Sequence, residues 1–303
     1  MTKKLKADAL LLMITVVWGS SFPLMKMILS YLPAFGYLAL RFLLAASILA
    51  VIFHRNFRHF NKRTLLYGCI LGLLMFAGMA LQVNGLFTTT ASNSGFITGL
   101  NVVIVPFISA WILKKKPDRA SAIGVAIAFG GLFFLSGGLS FKFNIGDLLT
   151  FLCSICWALQ IIFIDRFTEK EDAPLLAIMQ VGFTGVISAV IWLAFDFKPA
   201  VFNGVSVTII LITAVLGTAL AFGGQTIAQK DTTPTHTALI FVAEPVFAAI
   251  FAMIIPNAEG KTEVLGVTSA IGCALILAGM LIAELKPGKK KASSGLQLPG
   301  SGL

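Results

Sequence analysis

The hydrophobic and polar positions of this chain fall into long blocks. Apolar runs of about 20 residues, the length an α-helix needs to cross ~30 Å of hydrocarbon, recur along nearly the whole sequence. Ten spans are predicted, at 8–29, 34–53, 64–85, 92–113, 121–139, 146–165, 174–195, 205–228, 235–255 and 263–285. A membrane β-barrel would instead show short alternating segments, and no stretch between the spans is long enough for a soluble domain. The first span follows "MTKKLK", as in a signal peptide. Its apolar run is long, it lacks a clean small-x-small cleavage site and nine spans follow it, so it reads as a retained helix.

One span starts against the pattern. "TTTASNSGFITGLNVVIVP", 88–106, opens on hydroxyls and amides and carries Asn101 in its middle. Hydrocarbon offers such groups no hydrogen-bond partner, so they must face protein or a watery cavity.

Composition agrees with a membrane protein: 57% of residues are apolar and 12% charged, against roughly 25% charged in soluble domains. The net charge of +10 changes the picture only through its distribution. With both termini cytoplasmic, the inner face collects most Lys and Arg residues, while the outer face keeps Lys142, Lys198 and Lys261. This is the positive-inside bias of a bacterial-type inner (plasma) membrane protein with an even number of spans. Basicity therefore orients the chain and calls for the lipid bilayer, not nucleic acid, as partner. Cys69, Cys153, Cys156 and Cys273 all fall within spans, and "CSIC" has no second ligand pair, so they read as small apolar residues with no metal and no cofactor. The tail at 287–303 is basic, then Gly/Ser-rich, and is expected to be disordered.

The chain also matches itself. "ADALLLMITVVWG" aligns with "IGDLLTFLCSICWA", pairing Asp8 with Asp147 and Trp18 with Trp157 at an offset of 139, the offset that also pairs Pro106 with Pro245. "QVNGLFTTT" aligns with "QTIAQKDTT" at 143, pairing Gln82 with Gln225 and Thr89 with Thr232; Gly124 pairs with Gly266 and Gly130 with Gly272 at 142. The expected organisation is a first repeat over 1–140, a second over 141–286, and the tail. Five spans per repeat is an odd number, so the second copy enters the membrane from the opposite side. Inverted repeats of this kind are the recurrent plan of secondary transporters.

Several segments together resemble a known family. "WGSSFPLMK", "ALRF", "TTTASNSGFITGLNVVIVP", "KKKPDRASAIGVAIAFGGLFFLSG" and "TTPTHTALIFVAEPVFAAIFA" are similar to the EamA-type permeases of the drug/metabolite transporter superfamily, over about 7–285. The resemblance implies an all-α integral membrane protein of ten helices in two EamA repeats, transporting small metabolites, often exporting amino acids or related compounds.

Candidate site residues follow from depth. Asn101 lies roughly 14 Å below the outer end of its span, and Glu244 reaches a similar depth from the other side. A carboxylate there costs at least a few kcal/mol unless paired, hydrated or protonated, so Glu244 marks a substrate or proton pathway, or else a bundle-internal bond. The proline after it leaves the Phe241 carbonyl without its usual donor. Arg41, about 10 Å below the outer end of span two, either clamps a substrate carboxylate or pairs with Glu244; Lys26 either joins it or snorkels to the interface. Trp18, Gln82, Asn84, Asn93, Trp157, Gln160, Gln180, Gln225 and His236 form a second tier, as cavity lining or as interhelical ties. No phosphate-binding loop, HExxH or GxSxG occurs, so no catalytic constellation is expected.

The expected protein is a secondary transporter that exports small polar metabolites, most plainly amino acids, by alternating access around a midplane cavity. A channel-like facilitator, an exporter of drugs or organic ions, and an integral-membrane enzyme acting on lipid-linked substrates remain open, as do a coupling proton at Glu244 and the choice between monomer and homodimer.

Overall fold

The computed structural model describes residues 3–89, 91–114, 116–135, 144–195, 197, 201–254, 262 and 264–284. The expected tail at 287–303 lies outside them. The regular structure of the described residues is all helical, with no strand among them. The helices are α1 Lys3–Ile28, α2 Ala34–Ile52, α3 Lys62–Gly85, α4 Ala91–Gly99, α5 Asn101–Ile112, α6 Arg119–Leu135, α7 Ile145–Phe167, α8 Ala173–Phe195, α9 Gly204–Ala214, α10 Ala221–Ala228, α11 Pro234–Phe241, α12 Glu244–Ile254 and α13 Val267–Glu284. Their first turns are closed by side chains where the sequence supplies them. Asn61 accepts from the Arg63 and Thr64 amides at the start of α3, and Asn144 and Asp147 form a reciprocal capping box at the start of α7.

Eight helical runs are long and apolar enough to cross a membrane. Spans five and ten appear as shorter apolar helices, Arg119–Leu135 and Val267–Ala283. Spans four, eight and nine are internally divided: α4 gives way to α5 at Leu100, a π-helical turn at Val215–Leu220 separates α9 from α10, and α11 gives way to α12 at 242–243. Pro245 explains the last division, because it cannot donate to the Phe241 carbonyl and fits the first turn of a new helix. The division at Leu100 follows Gly99, a residue of weak helix propensity packed against Leu132 and Pro245.

The contacts come in reciprocal pairs. α6 runs along α13 and α2 along α8; α3 lies against α7 and α8, as α10 lies against α1 and the π turn against α2; α4 and α5 touch α7, as α11 and α12 touch α1. Exchanging the α1–α6 half for the α7–α13 half maps α6–α13 and α2–α8 onto themselves and each of the other contacts onto its counterpart. The α6–α13 seam has no room for side chains at its glycines. A Cβ on Gly124 would stand 2.5 Å from the Gly279 carbonyl oxygen, and one on Gly279 at 2.5 Å from that of Gly124. Close backbone approach of this kind supplies the van der Waals contact that replaces hydrophobic driving force in lipid. Gly279→Leu is expected to lower stability by about 1–3 kcal/mol, read as earlier unfolding of the purified protein in detergent, whereas the same change at Gly130, with open space beside it, should be near neutral.

The turn between α7 and α8 is tied to the α2–α3 connection by polar groups. Glu171 accepts from Thr64 Oγ1 at 2.6 Å and Asn61 Nδ2 at 2.9 Å, and Asp172 accepts from Asn56 Nδ2 at 3.1 Å. Burial pushes the Glu171 carboxyl up, but the Thr64 and Asn61 hydrogen bonds and the nearby Arg63 outweigh it and hold the group below its ordinary range.

Candidate functional site: a cavity between the divided helices

A cavity of about 510 Å³, part of it open to the surroundings, lies where α1, α2, α3, α4, α5, α7, α10, α11 and α12 converge. Of the residues singled out from sequence, Trp18, Arg41, Gln82, Asn101, Trp157, Gln160, Gln225 and Glu244 line it. Asn101 and Glu244 do so for one structural reason. Each is the first residue of the second half of a divided helix, α5 and α12 respectively. Helix ends leave amides and carbonyls without intrahelical partners, so the two divisions bring polar backbone and polar side chains to one place. The approach of α12 to α1 depends on Gly19, where a Cβ would meet Phe247 Cβ at 2.7 Å and the Glu244 carbonyl at 3.0 Å. That crossing sets Trp18 and Glu244 on the same wall.

Arg41 is 1% exposed, and protein atoms hold its guanidinium. Its Nε donates to Thr218 Oγ1 at 2.6 Å, one Nη to Tyr37 Oη at 3.1 Å, and the other Nη to the Gly217 carbonyl at 3.1 Å. The Tyr37 and Phe42 ring centroids lie 5.8 and 5.4 Å from its Cζ, within cation–π range. The π turn makes this possible. Its wider winding turns the Gly217 carbonyl sideways, where it also accepts from Trp18 Nε1 at 3.1 Å, while Thr218 Oγ1 donates five residues back to Thr213. Arg41 and Glu244 thus share the cavity without pairing.

Glu244 is half-buried, and its carboxylate has no hydrogen-bond or ion-pair partner among the described residues. Asn101 Oδ1 and Gln225 Oε1 are buried acceptors that also lack one. The other amides are tied. Gln82 Nε2 donates to Thr98 Oγ1 at 3.2 Å; Gln225 Nε2 donates to Gln160 and Gln229, Gln160 to Gln180, and Gln180 to Thr226. Gln180 therefore stands behind the wall, holding Gln160. The aromatic part of the lining is continuous: Trp18 lies 5.0 Å from Phe222 and 4.9 Å from Phe241 between ring centroids, and Phe222 lies 5.7 Å from Trp157.

Three expected residues stand elsewhere. Asn84 donates to the Ala80 carbonyl of its own helix at 2.8 Å, Asn93 sits near the start of α4 off the cavity, and His236 Nε2 lies 3.3 Å from Asp8 Oδ1. Lys26 is exposed, its Nζ 3.4 Å from the Thr89 carbonyl, which is a snorkelling position. Thr218, Gly217, Met79 and Phe222 line or build the site without having been singled out as site residues, and Phe241, noted for its carbonyl, also lines it with its ring. Met79 and Phe222 were within reach of the sequence: they pair at the offset of 143 that pairs Gln82 with Gln225, three residues earlier on the same helix faces. The π turn leaves no comparable signal.

Known proteins place the chain. The EamA-like transporter family matches twice, over residues 5–137 and 144–284. An uncharacterized transporter of Archaeoglobus fulgidus is 31% identical over 284 residues, covering 94% of this chain and 87% of its own. The uncharacterized transporter YyaM of Bacillus subtilis is 27% identical over 93% of this chain and 94% of its own. The uncharacterized inner membrane transporter YedA of Escherichia coli K12 is 26% identical over half of each chain (50% and 51%). One solved crystal structure superposes with a TM-score of 0.72 at 20% identity, covering 92% of this chain and 96% of the other, which speaks for the fold. With both halves of the sequence matched, the chain belongs to the EamA-like transporter family.

Proposed function

We propose that this membrane protein is a secondary transporter of small amino-bearing metabolites, amino acids and close relatives, working outward by alternating access of two inverted five-helix repeats. The observation that carries the reading is the unpartnered Glu244 carboxylate in a cavity where the divided helices meet, with buried, unpartnered amide oxygens beside it. Such groups are costly in a bilayer and are usually kept for a solute or a proton. The reciprocal helix contacts support rocking of one half against the other.

Two acidic residues at matching repeat positions, Asp147 and Asp8, supply the gates in this reading. Thr89 Oγ1 donates to Asp147 at 2.6 Å, closing α7 against the α3–α4 connection at the outer end. The matching pair, Asp8 and Thr232, is not joined: Asp8 faces Lys4 at 3.3 Å and His236, and Thr232 Oγ1 is buried without a partner. The Thr–Asp pair is made at one end and replaced by Asp8 contacts with Lys4 and His236 at the other, an asymmetry that an alternating cycle would use. An enzyme acting on lipid-linked substrates would need a clustered acid, base or metal set. Among the described residues no three His, Cys, Asp or Glu side chains converge to hold a metal.

Counterflow tests the reading. Purified protein in liposomes preloaded with unlabelled amino acids and simple amines should accumulate at least one labelled tracer above protein-free liposomes. Saturation of the initial rate marks a carrier, and a non-saturating flux without counterflow marks a channel-like facilitator. A flat response for every tracer after confirmed insertion removes the carrier of amino-bearing solutes.

A further inference from the structure

We infer that the cavity recognises a protonated amine carried on a flat apolar body, and that a carboxylate on the solute is dispensable. The inference rests on the carrier reading and narrows its substrate class.

The cavity's unmet capacity lies in acceptors: the Glu244 carboxylate, Asn101 Oδ1 and Gln225 Oε1. The last two belong to side chains more than nine-tenths buried, Asn101 at 6% and Gln225 at 1% exposure. Its strong donors are largely engaged. Arg41 gives an N–H from Nε and from each Nη to Thr218, Tyr37 and Gly217, and Trp18, Gln82 and Gln225 give theirs to protein acceptors. Apart from the remaining Nη hydrogens of Arg41, the donors left, the Asn101 amide nitrogen among them, are neutral. A substrate carboxylate would share a guanidinium already committed to three partners and stand in the same cavity as Glu244. An ammonium finds a carboxylate and two amide oxygens that no protein donor occupies, and an ammonium is a donor without acceptor capacity.

The walls suit what such an ammonium would be attached to. Trp18, Phe222, Phe241 and Trp157 form a run of rings with neighbouring centroids 4.9 to 5.7 Å apart, and Met25 and Met79 add polarizable thioethers. Aromatic rings also attract cations through their faces, so the same wall favours the charge and the body.

The test compares four solutes that share a phenyl ring: phenethylamine, phenylalanine, N-acetylphenylalanine and 3-phenylpropionate. Each is titrated by calorimetry into the purified full chain in lipid nanodiscs. The expected result is binding of phenethylamine at least tenfold tighter than phenylalanine, with neither acid binding. Glu244→Gln should weaken phenethylamine at least 30-fold and Asn101→Ala about fivefold. The series on the unaltered chain decides the matter even where a variant does not fold. Binding of phenylalanine or of either acid ahead of phenethylamine overturns the inference. So does a series in which none of the four binds. In both cases the carrier reading stands or falls on counterflow, where accumulation of an amino acid with no competition from phenethylamine would keep the carrier and discard the amine preference.

Discussion

Glu244→Gln is expected to lower initial-rate transport on the order of 100-fold and to flatten its dependence on pH. The substitution keeps volume and shape and removes only the charge and the titration. A hydrogen bond to a charged group is worth about 1.5–3 kcal/mol, and every 1.4 kcal/mol is tenfold, so an ammonium that loses a carboxylate partner loses roughly 10- to 150-fold. Because no described residue bonds the carboxylate, little is broken in the bundle, and unfolding in detergent should move by less than about 1 kcal/mol, as for changes that leave no partner stranded. Proteoliposome flux across a pH series, with the melting curve alongside, separates the roles. Full activity with an unchanged pH profile would remove Glu244 from both solute binding and proton coupling; loss of flux with a retained profile would leave it a solute ligand only.

Which parts of the site were legible in the sequence follows from the kind of signal each leaves. The spans are read from hydrocarbon thickness, which acts on every residue of a helix at once, and the membrane helices follow that pattern, with the two shortest undivided spans, α6 and α13, joined by glycines the pattern does not weigh. Glu244 and Arg41 stood out because charge is rare at that depth, and the structure brings both to one cavity. What they do to one another was not legible. The choice between pairing and separation depends on a π turn at Val215–Leu220 that swings Gly217 and Thr218 onto Arg41, and "VLGTAL" reads as ordinary apolar helix. Amides were ambiguous for a related reason. Asn84 and Gln82 lie two residues apart on α3, and only helix rotation against its neighbours decides that Gln82 faces the cavity while Asn84 bonds its own backbone. His236 was a second-tier candidate as a polar residue of span nine, but it lies beside Asp8, whose position only the α1–α11 packing supplies.

The second large effect is expected at Arg41. Arg41→Ala should cost about 3 kcal/mol or more of stability, since charge-assisted bonds to Thr218, Tyr37 and Gly217 are lost together and a void is left among Met25, Phe42 and Phe222. Removing a buried cation also removes its desolvation penalty, which offsets part of that loss. Arg41→Lys decides how the rest is divided. One ammonium cannot span a hydroxyl on the π turn, a phenol one turn away on α2 and a sideways carbonyl, because it lacks the guanidinium's rigid fork. If Arg41 holds α2 to the π turn, Arg41→Lys lowers the unfolding midpoint by most of the Arg41→Ala shift while KM for an amine changes less than threefold. If Arg41 is instead a clamp for a substrate carboxylate, the order reverses: KM for acidic or zwitterionic solutes rises about tenfold or more, and the midpoint barely moves. Chemical unfolding monitored by tryptophan fluorescence, paired with flux measurements on the same preparations, reads both quantities. The geometry favours the first outcome, because each nitrogen of the guanidinium already faces a protein acceptor and the side chain is 1% exposed.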